Sequence, residues 1–271
     1  MRYIDHRQVR RFVDLAPIQA ANTEIAGVAD AERSKFIDDH QALASGLRNA
    51  LWAVSNTKCW YSEASLQEVE GQVEHYRPKK RVTGIQHTGY WWRAFDWRNL
   101  RLAHPTVNRR VTDYLTGKRA GKGCYFPLRN EDQRASNSAE EVNEEPVLLD
   151  PTSYSDTQLI CFSPESGAPR PRFRKEDDQW LHQRASDSIE YYHLDEGTWN
   201  ARRQDLMAEV RALCDELERL AIEQPRDEAA YGQTIDELVE DYLSAFAEFS
   251  SASWQVVSER GLLEQIVPGL G

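Results

Sequence analysis

Four polar residues in a set order, inside a short basic stretch, restrict this chain more than any other feature. Glu74 and His75 are adjacent, and Asn99 and Asn108 follow 24 and 33 residues after the histidine. Compact phrases surround them: Lys58-Cys59-Trp60-Tyr61-Ser62-Glu63, Glu74-His75-Tyr76-Arg77-Pro78-Lys79, Phe95-Asp96-Trp97-Arg98-Asn99-Leu100, Val107-Asn108-Arg109-Arg110 and Tyr125-Phe126-Pro127-Leu128. A lone Glu-His pair means nothing; the ordered set with its flanks does. Neighbouring side chains of a strand point to opposite faces. Glu74 and His75 therefore reach one cavity only where the strand bends or ends, and Pro78 suits such an end.

The charge balance supports a contact with phosphates. The chain of 271 residues carries a net charge of −11, which argues against a nucleic-acid protein until it is divided. Residues 58–130 hold 14 Lys and Arg against 6 Asp and Glu, whereas residues 176–271 hold 7 against 22. A basic segment on the motif is the footprint of phosphate binding. The acidic part reads first as solvated helix faces and second as a surface for a protein partner. With 40% hydrophobic and 28% charged residues the composition is that of a soluble globular protein. There is no run of about 18 apolar residues and no apolar leader, so a cytoplasmic location is expected. Cys59, Cys124, Cys161 and Cys214 are widely spaced and are expected as reduced thiols.

The order Glu-His, Asn, Asn resembles the His-Asn-Asn form of the HNH, or ββα-metal, nuclease site. The flanking phrases narrow the likeness to the HNH nucleases of bacterial Septu and retron anti-phage systems, and Glu145-Pro146-Val147-Leu148-Leu149-Asp150-Pro151 extends it. The resemblance implies an endonuclease that hydrolyses phosphodiesters, with DNA favoured over RNA, and a separate ATPase of the ABC or SMC-like type as its controller. It implies His75 as general base, Glu74 and Asn108 as ligands of Mg²⁺ or Mn²⁺, and Asn99 as the residue that holds the loop and orients the histidine. Lys79, Arg109 and Arg110 are candidate phosphate contacts, and Glu63 has a supporting role. The chemistry is coherent. Histidine can take a proton from water near neutral pH, and a hard cation on oxygen ligands can stabilise charge on the phosphate and the departing oxygen.

Two departures from that pattern stand out. Relatives carry two Cys-x-x-Cys pairs suited to a tetrahedral zinc; here the positions read Cys59 with Ser62 and His104 with Val107, so structural zinc is not expected. The usual lysine three residues after the second ligand asparagine is replaced by Val111.

Along the chain, Phe36, His40, Leu43, Leu47, Leu51 and Val54 predict one helix leading into the motif, with His40 on its core or rim. Trp60-Tyr61, Gln72 to Tyr76, Trp97 to Leu102 and Thr157 to Phe162 read as strands. Pro105 opens a helix that carries Asn108 and runs towards Gly117. Tyr90, Trp91, Trp92, Phe95 and Trp97 read mostly as core filling. Thr116 to Gly123 is a basic, glycine-rich loop without P-loop spacing, able to touch a nucleic-acid backbone. Residues 129–146 are acidic and read as a linker. Leu206, Val210, Leu213, Leu217 and Leu220 mark a helix, and Ile235 to Phe249 a second one packed antiparallel to it. The expected architecture is α+β: a helical scaffold at 1–57, an HNH ββα-metal core at 58–130, an acidic linker with a short strand at 131–175 and a helical region at 176–271. Two other readings compete with the nuclease: a catalytically inactive HNH-fold assembly subunit, and a plain nucleic-acid-binding protein.

Overall fold

A computed structural model describes residues 1–67, 70–112 and 119–267. Its architecture is mixed α+β, with small antiparallel sheets set among helices. The amino-terminal part holds helices α1 (Ala16–Glu24), α2 (Asp30–Asp39), α3 (Gln41–Ser45) and α4 (Arg48–Val54). The single helix expected over 36–54 is thus three. His40 closes α2, with its Nδ1 2.9 Å from the Phe36 carbonyl and its ring stacked on Phe36 at 4.1 Å.

Strand β1 (Gln72–His75) pairs antiparallel with β2 (Leu100–Ala103), placing His75 opposite Leu100 and Glu74 opposite Arg101. A short 3₁₀ turn over Trp97–Asn99 replaces the first half of the expected strand. Every residue of β2 is buried, so this sheet is covered on both faces and its polar side chains need internal partners. Arg101 finds Asp150, with Nη2 2.7 Å and Nε 2.9 Å from its carboxylate oxygens. Trp60 and Tyr61 form a turn rather than a strand, although the Trp60 N–H donates to the Leu102 carbonyl at 2.9 Å.

Helix α5 (Pro105–Asn108) follows β2 directly, completing a strand–strand–helix order. His104 caps it by accepting the Thr106 N–H on Nδ1, and Pro105 occupies the first turn, where its missing N–H costs nothing. The helix stops at Asn108, well short of the expected end near Gly117, and β3 (Val111–Thr112) pairs with β4 (Arg119–Ala120). Residues 113–118, which include the first three residues of the glycine-rich loop, lie outside the described residues.

The 129–146 stretch is docked rather than a free linker. Glu144 is buried and accepts from the Tyr90 hydroxyl at 2.7 Å, the Arg77 guanidinium at 2.9 Å and the Ala135 N–H at 2.9 Å. Glu141 receives the Arg93 guanidinium. Here Tyr76, Tyr90, Trp92 and Phe126 form a small aromatic core, the filling role expected for part of that cluster.

Helix α6 (Tyr154–Thr157) precedes β5 (Ile160–Phe162), which pairs with β6 (Pro169–Pro171). Helix α7 (Gln179–Tyr191) is capped by Asp178. Helix α8 (Gly197–Ile222) buries Trp199, Arg203, Met207, Val210, Cys214, Leu217 and Leu220 along one stripe, the periodicity of a core-facing helix. The helix expected over 235–249 is broken: α9 (Glu228–Glu237) passes into a π-type turn over Leu238–Leu243, and α10 (Ser250–Glu259) starts after Phe249 at φ +50°. Helix α11 (Leu263–Ile266) closes the described chain. The main apolar core draws on residues from Val9 and Leu51 through Phe95 and Leu102 to Val256 and Ile266. All four cysteines are unpaired. Among the described residues no helix is long and apolar enough to cross a membrane.

Candidate active site

His75 ends β1 with Nε2 2.9 Å from the Ala94 carbonyl oxygen. A carbonyl only accepts, so Nε2 carries the proton of the neutral ring and Nδ1 keeps its lone pair. Burial pushes the imidazole down to about 3, and the charges of Lys79 and Lys122 push the same way against the Ala94 bond. At neutral pH the ring is therefore uncharged and able to accept a proton. A phosphate anion beside it would raise its basicity.

Asn99 supports that arrangement. Its Oδ1 accepts the Arg77 N–H at 2.8 Å, and its Nδ2 donates to the Arg77 carbonyl at 2.9 Å and the Arg93 carbonyl at 3.2 Å. The backbone N–H of Tyr76 donates to the Asn99 carbonyl at 2.9 Å. One buried amide thus ties the chain leaving His75 to the segment that presents Ala94.

Glu74 faces the other way, as strand alternation requires. Its carboxylate is buried, with Oε2 accepting the Tyr61 hydroxyl at 3.0 Å and Oε1 the Lys122 ammonium at 2.5 Å. The Tyr61 ring lies tilted against that of Tyr192, with centroids 4.3 Å apart, closing that side. Asn108 meets the Gln72 side-chain amide at 3.0 Å, and the Gln72 oxygen is best satisfied by the Arg109 guanidinium 2.6 and 2.9 Å away. Gln72 and Glu74, two apart on β1, share a face. Glu74 and Asn108 are therefore gathered on one side of the strand and the His75 ring on the other.

Mg²⁺ and Mn²⁺ take oxygen ligands, and Glu74 and Asn108 are the right chemical types. As placed they do not fit such an ion, because both oxygens of Glu74 are committed, one of them to an ammonium. Among the described residues no group of three or more His, Cys, Asp or Glu side chains could hold a metal ion.

The remaining candidates separate. Lys79 lies close enough to lower the His75 pKa, and burial followed by the Lys80 charge lowers its own. Arg109 is exposed, and Arg110 lies over the Tyr125 ring at 4.1 Å. Glu63 is distant in role: at φ +63° it accepts the Ser251 N–H at 3.0 Å at the start of α10 and pairs with the Met1 ammonium at 2.9 Å. Burial alone would raise its pKa, but the Met1 ammonium, Ser251 and Lys58 bring it down to about 2. Cys59 and His104 are neighbours, the His104 N–H donating to Sγ at 3.3 Å. The residue that reading the sequence missed is Lys122. Between two glycines in a basic loop it looks like a solvent-facing lysine, and nothing local signals that its partner lies 48 residues back.

No family model matches the chain. Over 130 residues it is 32% identical to the Septu protein PtuB of Bacillus mycoides (strain KBAB4), which covers 43% of this chain and 41% of that protein. The chain is thus similar to a Septu PtuB protein across less than half the length of either.

Proposed function

We propose that this protein is an HNH-type endonuclease acting in bacterial anti-phage defence, on DNA before RNA. The observation that carries the reading is the His75–Asn99 arrangement: a neutral imidazole anchored through Nε2, with Nδ1 available and its anchor held by a buried asparagine. A strand–strand–helix order around these residues supports it, and the likeness to a Septu PtuB protein supports the defence setting.

In this mechanism His75 takes the proton of the attacking water on Nδ1, while Asn99 keeps the ring from swinging off its anchor. Lys79, Arg109 and Arg110 draw in and orient the phosphate. A divalent cation, Mg²⁺ or Mn²⁺ with Glu74 and Asn108 as ligands, would supply Lewis acidity at the phosphate; since Lys122 holds Glu74, we route no step through it. A separate ABC or SMC-like ATPase as controlling partner remains part of the proposal on the strength of the family resemblance; structural zinc is left out of it because Ser62, His104 and Val107 stand where that resemblance implies thiolates.

One observation favours a second reading, an inactive HNH-fold assembly subunit: the Glu74 carboxylate is neutralised internally. Incubating the purified protein with supercoiled plasmid and with single-stranded RNA, in Mg²⁺ or Mn²⁺ and with or without any co-purifying ATPase, separates the two. The nuclease reading expects metal-dependent nicking in at least one arm. Intact substrate in every arm would overturn it in favour of the assembly subunit.

A further inference from the structure

A cavity of about 320 Å³ opens beside the Trp97–Asn99 turn, and five arginines line it: Arg7, Arg77, Arg93, Arg98 and Arg101. Its volume falls in the ~300–1,000 Å³ range of small-molecule pockets. Among the described residues, Asp150 is the one carboxylate in its wall. The other carboxylates that pair with these guanidiniums, Asp5, Asp96, Glu141 and Glu144, stand outside the lining. The wall is therefore rich in positive charge.

Three of the arginines keep unused donors. Arg7 gives Nε and Nη2 to Asp5, Arg98 gives the same two nitrogens to Asp96, and Arg77 gives them to Glu144. In each, Nη1 has no hydrogen-bond partner among the described residues. A guanidinium presents five N–H donors in a planar fork, so one edge on a carboxylate leaves donors for a second anion. Arg101 differs. Its nitrogens are committed to Asp150, Thr152 and two backbone carbonyls, which makes it a fixed charge. His6 adds a further unused group, since its Nε2 is buried without a partner. Burial, then the Arg101 charge, holds that imidazole down to about 3. An anion in the cavity would offset both the missing hydrogen bond and the crowding of positive charge. Three separate guanidiniums suit a phosphate monoester, with three acceptor oxygens and about two negative charges, better than a two-oxygen carboxylate.

We propose that this cavity binds a small phosphate ester of mononucleotide size, its phosphate held by the unused edges of Arg7, Arg77 and Arg98 with His6 beside them. Arg101 lies opposite Glu74 in the sheet register and shares its face, away from the His75 ring. The cavity is therefore distinct from the site that His75 serves, and the inference stands without the nuclease reading.

The test is isothermal titration calorimetry of the full chain with AMP, and with adenosine, which lacks the phosphate. The pocket predicts AMP binding with a Kd below about 1 mM, and adenosine binding at least tenfold weaker. Arg7→Gln combined with Arg98→Gln is expected to weaken AMP at least tenfold. Both side chains are largely exposed, and their carboxylates keep other partners, Gln8 for Asp5 and Arg93 for Asp96, so the fold survives. Arg219→Gln combined with Arg226→Gln removes the same charge outside the cavity and is expected to bind as wild type. AMP binding weaker than about 1 mM, equal binding of adenosine, equal binding by the folded cavity variant, or an equal loss in the control overturns the proposal. Should the double variant fail to fold, AMP against adenosine on wild type, together with Arg98→Gln alone, decides. Competition with a thymidine oligonucleotide then identifies the occupant. Displacement of AMP assigns the cavity to a nucleotide of a strand, no displacement assigns it to a free phosphate ester, and either keeps the pocket.

Discussion

The Asn99 side chain brackets Arg77, taking its N–H on Oδ1 at 2.8 Å and giving Nδ2–H to its carbonyl at 2.9 Å, while the same Nδ2 reaches the Arg93 carbonyl. Three backbone groups depend on one buried amide. Removing it leaves them unpaired, at roughly 1–3 kcal/mol for each group that water cannot reach. Asn99→Ala is therefore expected to lose about 2–4 kcal/mol in urea unfolding, and to speed amide exchange through 77–94. Unchanged exchange in that loop would show that Asn99 does not hold it.

The Glu74–Lys122 pair makes a second prediction, on stability alone. Breaking a buried ion pair from one side strands the other charge and costs roughly 3–5 kcal/mol. Glu74→Gln and Lys122→Met are each expected to fall in that range. The double variant, with no stranded charge, is expected to cost at least about 1 kcal/mol less than the two single costs together. Additive losses in urea unfolding would contradict the pairing.

Glu144 supplies the third. It gathers Tyr90, Arg77 and Ala135 across more than fifty residues of chain. Wild type is expected to resist cleavage by a glutamate-specific protease between 131 and 145, and Glu144→Ala to be cut there rapidly. Equal cutting of both would restore the view of this stretch as a free linker.

His6 gives the fourth. Its ring lies against Trp60 and Trp97, and burial, then the Arg101 charge, depresses its pKa to about 3. The unfolded chain, with an ordinary histidine near 6.5, takes up the proton first. The stability this residue supplies is present above about pH 6.5 and is lost as pH falls towards 3, at no more than about 1.4 kcal/mol per pH unit. His6→Phe is expected to flatten the pH dependence of urea unfolding between pH 6 and 5 relative to wild type, with His75 contributing to the slope that remains. Identical slopes would contradict it.

Much of the helical frame is readable from spacing, because α8 buries its stripe at intervals of three and four and little else decides it. The break before α10 is not readable: Phe246 is exposed and Phe249 turns left-handed, choices made by packing rather than periodicity. The acidic 129–146 stretch looks like a linker because the arginines and tyrosine that satisfy its carboxylates lie far back in the chain. The order of Glu74, His75, Asn99 and Asn108 suggests one cavity, but strand alternation sends the His75 ring to one face and Glu74 with Asn108 to the other. What holds Glu74 there is not readable, since its partner Lys122 is not marked by local pattern.

The central claim is that His75 is the base of a phosphodiester hydrolase. Its most direct test is nicking of supercoiled plasmid with Mn²⁺ by wild type and His75→Ala side by side, with circular dichroism to show that both are folded. The account predicts cutting by wild type and a loss of about 10²–10⁴-fold in the variant, the range for removing a general base. A folded His75→Ala protein that nicks at the wild-type rate would contradict it.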